Sequence, residues 1–148
     1  MNHDEKMAQL IINEKLRESI SPLRIACNTS RAYPLIVPLW YQFDEGYLWS
    51  VTHKNAKVVT HLKRNTHVGF EIANNEPPYH GVRGNGTVEI IPELGKIWLP
   101  RLLKRYSIRP DSRLAHLLLS RANDEVALRL MPTQMSAWDY SIRMQDAL

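Results

Sequence analysis

Residues Tyr33 to Asn65 read YPLIVPLWYQFDEGYLWSVTHKNAKVVTHLKRN, and this stretch decides the fold. Leu35 to Phe43 is a long apolar run that reads as a strand, and Tyr47 to Thr52 reads as a second. The tight turn Asp44–Glu45–Gly46 between them makes the pair a hairpin. His53 and Lys54 follow, and Asn55 is placed to cap a helix opening Ala56–Lys57 that buries Val58, Val59 and Leu62. The charge at its start is the wrong one for an isolated helix. The first N–H groups of a helix lack partners and the macrodipole makes that end positive. His53, Lys54 and Lys57, the last at about the second helical position, add to that charge. A phosphate among them would accept hydrogen bonds from backbone and ammonium alike. The plainer reading is side chains that point to solvent at a cost of about a few tenths of a kcal/mol.

Pro38 sits in the middle of the long strand. Proline donates nothing to a ladder, so an edge, a bulge or an opening in the sheet is expected there. Outward from this stretch, a first helix is expected from the N-cap Asp4 to about Glu18, with Met7, Leu10 and Ile11 on one face. Leu23 to Asn28 and Val68 to Ala73 read as strands. Tyr79 to Ile91 is a further strand whose Gly81, Gly84 and Gly86 predict bulges and strong curvature. Leu94 to Tyr106 reads as a helix interrupted by Pro100. Asp111 or Ser112 caps another, with Leu114, Leu117 and Leu118 on one stripe. Glu125 to Met131 and Gln134 to Tyr140 read as two final strands either side of Pro132. Strands dominate and helices are peripheral, so the fold class is mainly β (α+β), a small antiparallel barrel.

The 148 residues predict a single domain, residues 1–148, able to bury a sizeable core. The net charge of +4 suits anionic ligands only weakly, because 19 basic residues are interspersed with 15 acidic ones. No block of like charge marks a nucleic-acid tail, and the hairpin holds no Lys or Arg, which argues against an oligonucleotide-binding barrel. Cys27 is the only cysteine, so it reads as a small buried apolar residue. The start MNHDEKM is too acidic for a signal peptide, and no apolar run reaches membrane-span length. The expected compartment is the reducing cytoplasm, with no membrane or nucleic-acid partner. The six histidines show no ligand spacing, so no metal site is expected. No nucleophile elbow or phosphate loop occurs, and Gly81–Gly86 lies inside a strand with no helix after it. No side chain stands out as a catalytic acid, base or nucleophile.

Taken in order, P-L-x-V-P-x-W-Y, the D-x-G turn, Y-L-W-x-x-T, the basic turn and K-V-x-x-x-L-x-x-N resemble the pyridoxamine 5′-phosphate oxidase-like family of flavin-binding split barrels. Gly86–Thr87–Val88–Glu89, Leu103–Lys104–Arg105–Tyr106 and the terminal Met131–Pro132 and Ala137–Trp138–Asp139 match its layout. The resemblance implies a six-stranded antiparallel split barrel and a homodimer with FMN sites at the interface. It implies that Val37, Pro38 and Leu39, with Ser50, Val51 and Thr52, line the flavin. Lys57 and the turn before it, Lys54 included, would hold the phosphate, with Arg83 and Trp138 as further contacts. The activity implied is a flavin-dependent oxidation or reduction of a small molecule. A flavin-carrying or stress-related binding protein without turnover, and a barrel using deazaflavin or haem, stand as alternatives. Two departures set the chain apart from vitamin B6 oxidases. The basic turn has Ala56–Lys57 where they carry an Arg-Lys pair, and no Arg-x-His occurs near the C-terminus.

Overall fold

Strands β2 (Leu35–Leu39) and β3 (Gln42–Asp44) are separated by only Trp40 and Tyr41. Yet they form the two opposite edges of one antiparallel sheet in the computed structural model, which describes residues 1–147. The other strands are β1 (Leu23–Cys27), β4 (Tyr47–His53), β5 (His67–Ala73), β6 (His80–Ile91) and β7 (Glu125–Asp139), and the order across the sheet is β2-β1-β5-β6-β7-β4-β3. A two-residue bridge spans at most about 11 Å. The sheet must therefore curl until its edges nearly meet, which makes it a barrel with an open seam. β2 bonds only to β1 and β3 only to β4, while β2 lies beside β4 across the seam. Pro38 lies on an edge strand, as the missing N–H requires.

Seven strands form the sheet where six were expected. The expected single strand Leu35–Phe43 is two, because the chain leaves one edge and enters the other at Trp40–Tyr41. The two segments around Pro132 are one strand, β7. Gly86 pairs with Pro132 and Asn85 with Gln134, so Thr133 is an unpaired extra residue, a bulge that absorbs the proline. Close approach explains the glycines opposite it: a Cβ on Gly84 or Gly86 would collide with the carbonyl oxygens of Gln134 and Met131.

Alternation along the strands points Leu23, Ile25, Cys27, Val68, Phe70, Ile72, Leu48, Leu128 and Leu130 into one core. Helix α2 (Lys57–Arg64) packs on it through Val58, Val59 and Leu62. Helix α1 (His3–Glu18) is capped by Asn2 rather than Asp4 and buries Ile12 and Leu16, one turn apart. Met7, Leu10 and Ile11 stay exposed, contrary to the face expected. Helix α3 (Gly95–Arg105) contains Pro100 and covers a second cluster in which Trp98 stacks on Trp49 at 4.6 Å. Helix α4 (Arg113–Ser120) is capped by Ser112 and buries only Ala115, so Leu114 and Leu117 face outward. No helix is long and apolar enough to cross a membrane among the described residues.

The seam is fastened by side chains. The buried Tyr41 hydroxyl donates to the carbonyls of Leu16 (2.8 Å) and Ser19 (3.0 Å), and burial pushes its pKa up to about 12. Arg105 donates from Nε to the Tyr41 carbonyl (2.8 Å) and from its terminal nitrogens to the carbonyls of Arg17 and Ser19. The Tyr41 N–H donates to the Tyr106 hydroxyl (3.2 Å), whose ring stacks on Trp40. One arginine thus ties the end of α1 to the crossing between the edges.

Candidate functional site at the barrel seam

The basic turn follows His53, the last residue of β4, and leads directly into α2. Ala56, not Asn55, is the N-cap, and it offers no side-chain acceptor. Asn55 is displaced because its N–H bonds to His53 Nδ1 (3.1 Å) and the next N–H to the His53 carbonyl (2.9 Å), tightening the turn by one residue. Lys57 is therefore the first helical residue. Val59 and Thr60 turn their N–H groups back to the Ala56 carbonyl, while the Lys57 and Val58 N–H groups find no acceptor among the described residues. The first turn holds no acidic side chain. This is a helix start with free donors, a positive dipole end and an exposed lysine.

The two lysines differ in employment. Lys54 Nζ pairs with Asp124 Oδ1 at 2.8 Å, and its N–H donates to the Asp124 carbonyl at 2.8 Å. The Lys54 hydrogen bond and charge hold the Asp124 carboxyl below its ordinary range. Beside it, Glu125 is buried and faces His53 across the β4–β7 ladder. Burial pushes its carboxyl up, against the pull of His53 and Arg121. Lys54 thus anchors the turn to the start of β7, and Lys57 is the lysine of the turn with no carboxylate partner among the described residues. Asp124 carried no local signal in the sequence, since its partner is 70 positions away.

Val37 and Leu39 are half-buried against the core, and Pro38 faces out from the edge. Ser50, Val51 and Thr52 do not share one surface. Alternation turns Ser50 inward with Leu48, where its Oγ is buried and has no partner, while Val51 packs with Trp49 in the cluster under α3. Arg83 and Trp138 are not brought to the seam within one chain. Trp138 lies twelve residues along β7 from Val126, the partner of Thr52. That is roughly 40 Å of strand at about 3.3 Å per residue. Its indole N–H is buried without an acceptor. Arg83 lies on the outer face of the sheet, in a trough of about 590 Å³ with Arg24, Ala26, Ile36, Gly69 and Glu71.

β2 is an edge strand with half-buried Val37 and Leu39, the start of α2 is basic and uncapped, and the Ser50 hydroxyl is buried inside the barrel without a partner. These residues fit a ligand with an apolar ring system and a phosphate: β2 offers apolar edge surface and Lys57 with two backbone N–H groups offers donors. A split barrel with a basic, uncapped helix start after its fourth strand is the class that the fold defines. The chain belongs to the pyridoxamine 5′-phosphate oxidase family, whose pattern it matches over residues 12–139. Solved structures with this fold include an F420 reductase, 21% identical, with a TM-score of 0.67 over 83% of this chain and 94% of that one. A FAD-binding protein of Mesorhizobium loti is 20% identical, with a TM-score of 0.62 over 87% and 90% of the two chains. The conserved hypothetical protein Rv2991 of Mycobacterium tuberculosis is 20% identical, with a TM-score of 0.72 over 95% and 86%. Comparison with the curated proteins finds no match.

Proposed function

We propose that this chain is a flavin-dependent oxidoreductase that works as a homodimer, with the cofactor phosphate at the start of α2. The observation that carries the reading is the first turn of α2, with no cap, no acid, two free N–H groups and Lys57 without a carboxylate partner. FMN is the smallest flavin that supplies a phosphate there. The family and the FAD-binding relative support a flavin as the ring system. A bound flavin supplies the electron or hydride transfer itself. The chain's part is to hold it. Lys57 and the helix start fix the phosphate, the β2 edge around Val37–Leu39 gives the ring an apolar bed, and Lys54 keeps the turn in place through Asp124.

Vitamin B6 phosphates fall outside the proposed substrates. The C-terminal segment has no Arg-x-His, and its one arginine, Arg143, lies over the Tyr140 ring at 4.8 Å. Pyridoxamine or pyridoxine phosphate should give negligible hydrogen peroxide. The proposal as a whole is tested by the absorbance spectrum of the purified protein followed by turnover with a reduced nicotinamide. A flavin spectrum with turnover is expected. A bound flavin without turnover would make the chain a carrier, and a haem spectrum would overturn the reading.

A further inference from the structure

Helices α3 and α4 carry charge out of proportion to their length. Residues 95–121 hold 7 of the chain's 19 Lys and Arg and 1 of its 15 Asp and Glu. The rest of the chain keeps 12 basic and 14 acidic residues, so this segment alone supplies more than the whole net charge of +4. Its one acid, Asp111, is already bonded to Arg109 at 2.8 Å. Arg105 is spent on the seam carbonyls, and the charge of Arg121 is felt by Asp124 and Glu125. Lys96, Arg101, Lys104 and Arg113 are exposed and meet no carboxylate among the described residues.

Apolar side chains share this surface. α3 buries Trp98, Leu99, Leu102 and Leu103, so helical spacing turns Lys96, Ile97, Arg101 and Lys104 outward on the opposite face. α4, which packs against α3, turns Arg113, Leu114 and Leu117 outward. Ile97, Leu114 and Leu117 are 45%, 43% and 52% exposed. These side chains do little for the fold. α4 has eight residues, a length that is marginal in water, and it buries only Ala115. Apolar side chains rimmed by charge on the outside of a fold mark a surface that meets something else.

We propose that the outward faces of α3 and α4 dock on an anionic lipid surface. A bilayer takes both kinds of side chain at once. Headgroup phosphates pair with the ammonium and guanidinium groups, and Ile97, Leu114 and Leu117 enter the headgroup boundary beneath them. A second copy of the chain would bring one strongly basic face against another. A nucleic acid would use the cations and leave the leucines in water, and it would find no ring to stack on, because Trp98 is buried and Tyr106 already stacks on Trp40. The expectation of no membrane partner came from the lack of a membrane-length apolar run, and surface docking needs none. Neither helix lines the outer trough around Arg83, and this surface is separate from the flavin seam.

The test is co-sedimentation of the full chain with vesicles of phosphatidylcholine alone or mixed with phosphatidylglycerol. Binding is expected only to the mixed vesicles, and it should fall steeply with added salt. Lys96→Gln and Lys104→Gln should each weaken it about fivefold, the worth of one cation near an anionic bilayer. Leu114→Ser combined with Leu117→Ser should abolish it. Met7→Ser with Leu10→Ser, and Lys6→Gln, remove exposed apolar and basic side chains from α1 and should bind as wild type does. Hydrogen exchange in residues 113–120 should slow when mixed vesicles are added. Circular dichroism and sedimentation check the fold and oligomeric state of each variant, and if the leucine changes melt α4, the lysine variants and the exchange data decide. Equal binding to both kinds of vesicle, binding to neither, or equal losses from the α1 and α4 variants would overturn the inference. A changed oligomeric mass in the folded leucine variant would make this face an interface between copies instead. Tight binding of duplex RNA that the leucine changes leave intact would make it a nucleic-acid surface. Each of these results would leave the flavin site standing.

Discussion

Lys57 sits where a lysine opposes its own helix dipole, so its benefit appears only with an anion present. Lys57→Ala should weaken FMN by about 1.5–3 kcal/mol, the range for a hydrogen bond to a charged group. That is roughly tenfold to over a hundredfold in Kd. Riboflavin should bind wild type and variant equally, and the apo variant should be no less stable; equal losses for both ligands would remove Lys57 from the phosphate site. Glu125 gives a second residue-level expectation. Burial raises its carboxyl pKa, so the folded state holds the proton more tightly than the unfolded chain does. Stability from this group is then complete below the ordinary value of 4.5 and falls as pH rises through the raised one. Glu125→Gln should therefore melt higher than wild type at pH 7, with the difference closing towards pH 4 in calorimetry. Lys57 was legible in the sequence because its signal is local, a charge at a helix start. The division of labour between Lys54 and Lys57 was not, because it depends on Asp124, which the fold brings in from the start of β7.

The elements were legible wherever alternation or helical spacing set them, and misjudged where the sheet closes on itself. An apolar run such as Leu35–Phe43 looks like one strand, and nothing within it shows that its halves serve opposite edges. The information lies instead in Arg105 and Tyr106, some 65 positions away, which hold the carbonyl and N–H of Tyr41. Similarly, Pro132 reads as a strand breaker, but a bulge at Thr133 opposite Gly86 carries β7 through it. Arg105 is thus the clasp of the barrel. Its removal leaves three carbonyls, those of Arg17, Ser19 and Tyr41, without their charged donor. Arg105→Ala should cost about 3 kcal/mol, since one hydrogen bond to a charged group is worth about 1.5–3 and the three act as a unit. Arg105→Lys should regain only part, because an ammonium cannot reproduce the planar fork. Urea denaturation measures both, and a loss below about 1 kcal/mol would show that the seam holds without the clasp.

At the scale of the whole molecule the single chain leaves surface and donors unused. The outer trough has small residues on its floor, Ala26, Gly69, Gly84 and Ser136, with the exposed Ile36 on its wall. Small side chains on the outer sheet face allow another backbone to approach closely. Arg83 stands in this trough, and Trp138, with its unpartnered indole N–H, lies far along β7 from the seam of its own chain. A second copy packed on the outer face would cover the trough and carry its own β6 and β7 residues towards the first copy's seam, which is how Arg83 and Trp138 would come to touch a cofactor. We therefore expect a homodimer burying more than about 2,000 Å² in total, as obligate pairs do. Sedimentation should give twice the 17.2 kDa chain mass at micromolar concentration. Gly69→Arg is the discriminating variant. A Cβ at Gly69 meets only the Gly84 carbonyl oxygen at 3.9 Å, and the rest of the side chain would extend into the open trough that Gly69 lines. Placed in the trough, the arginine should split the dimer and weaken flavin binding together while circular dichroism stays native. A variant that remains dimeric, or a wild-type monomer that binds flavin at full affinity, would show that each chain holds its cofactor alone.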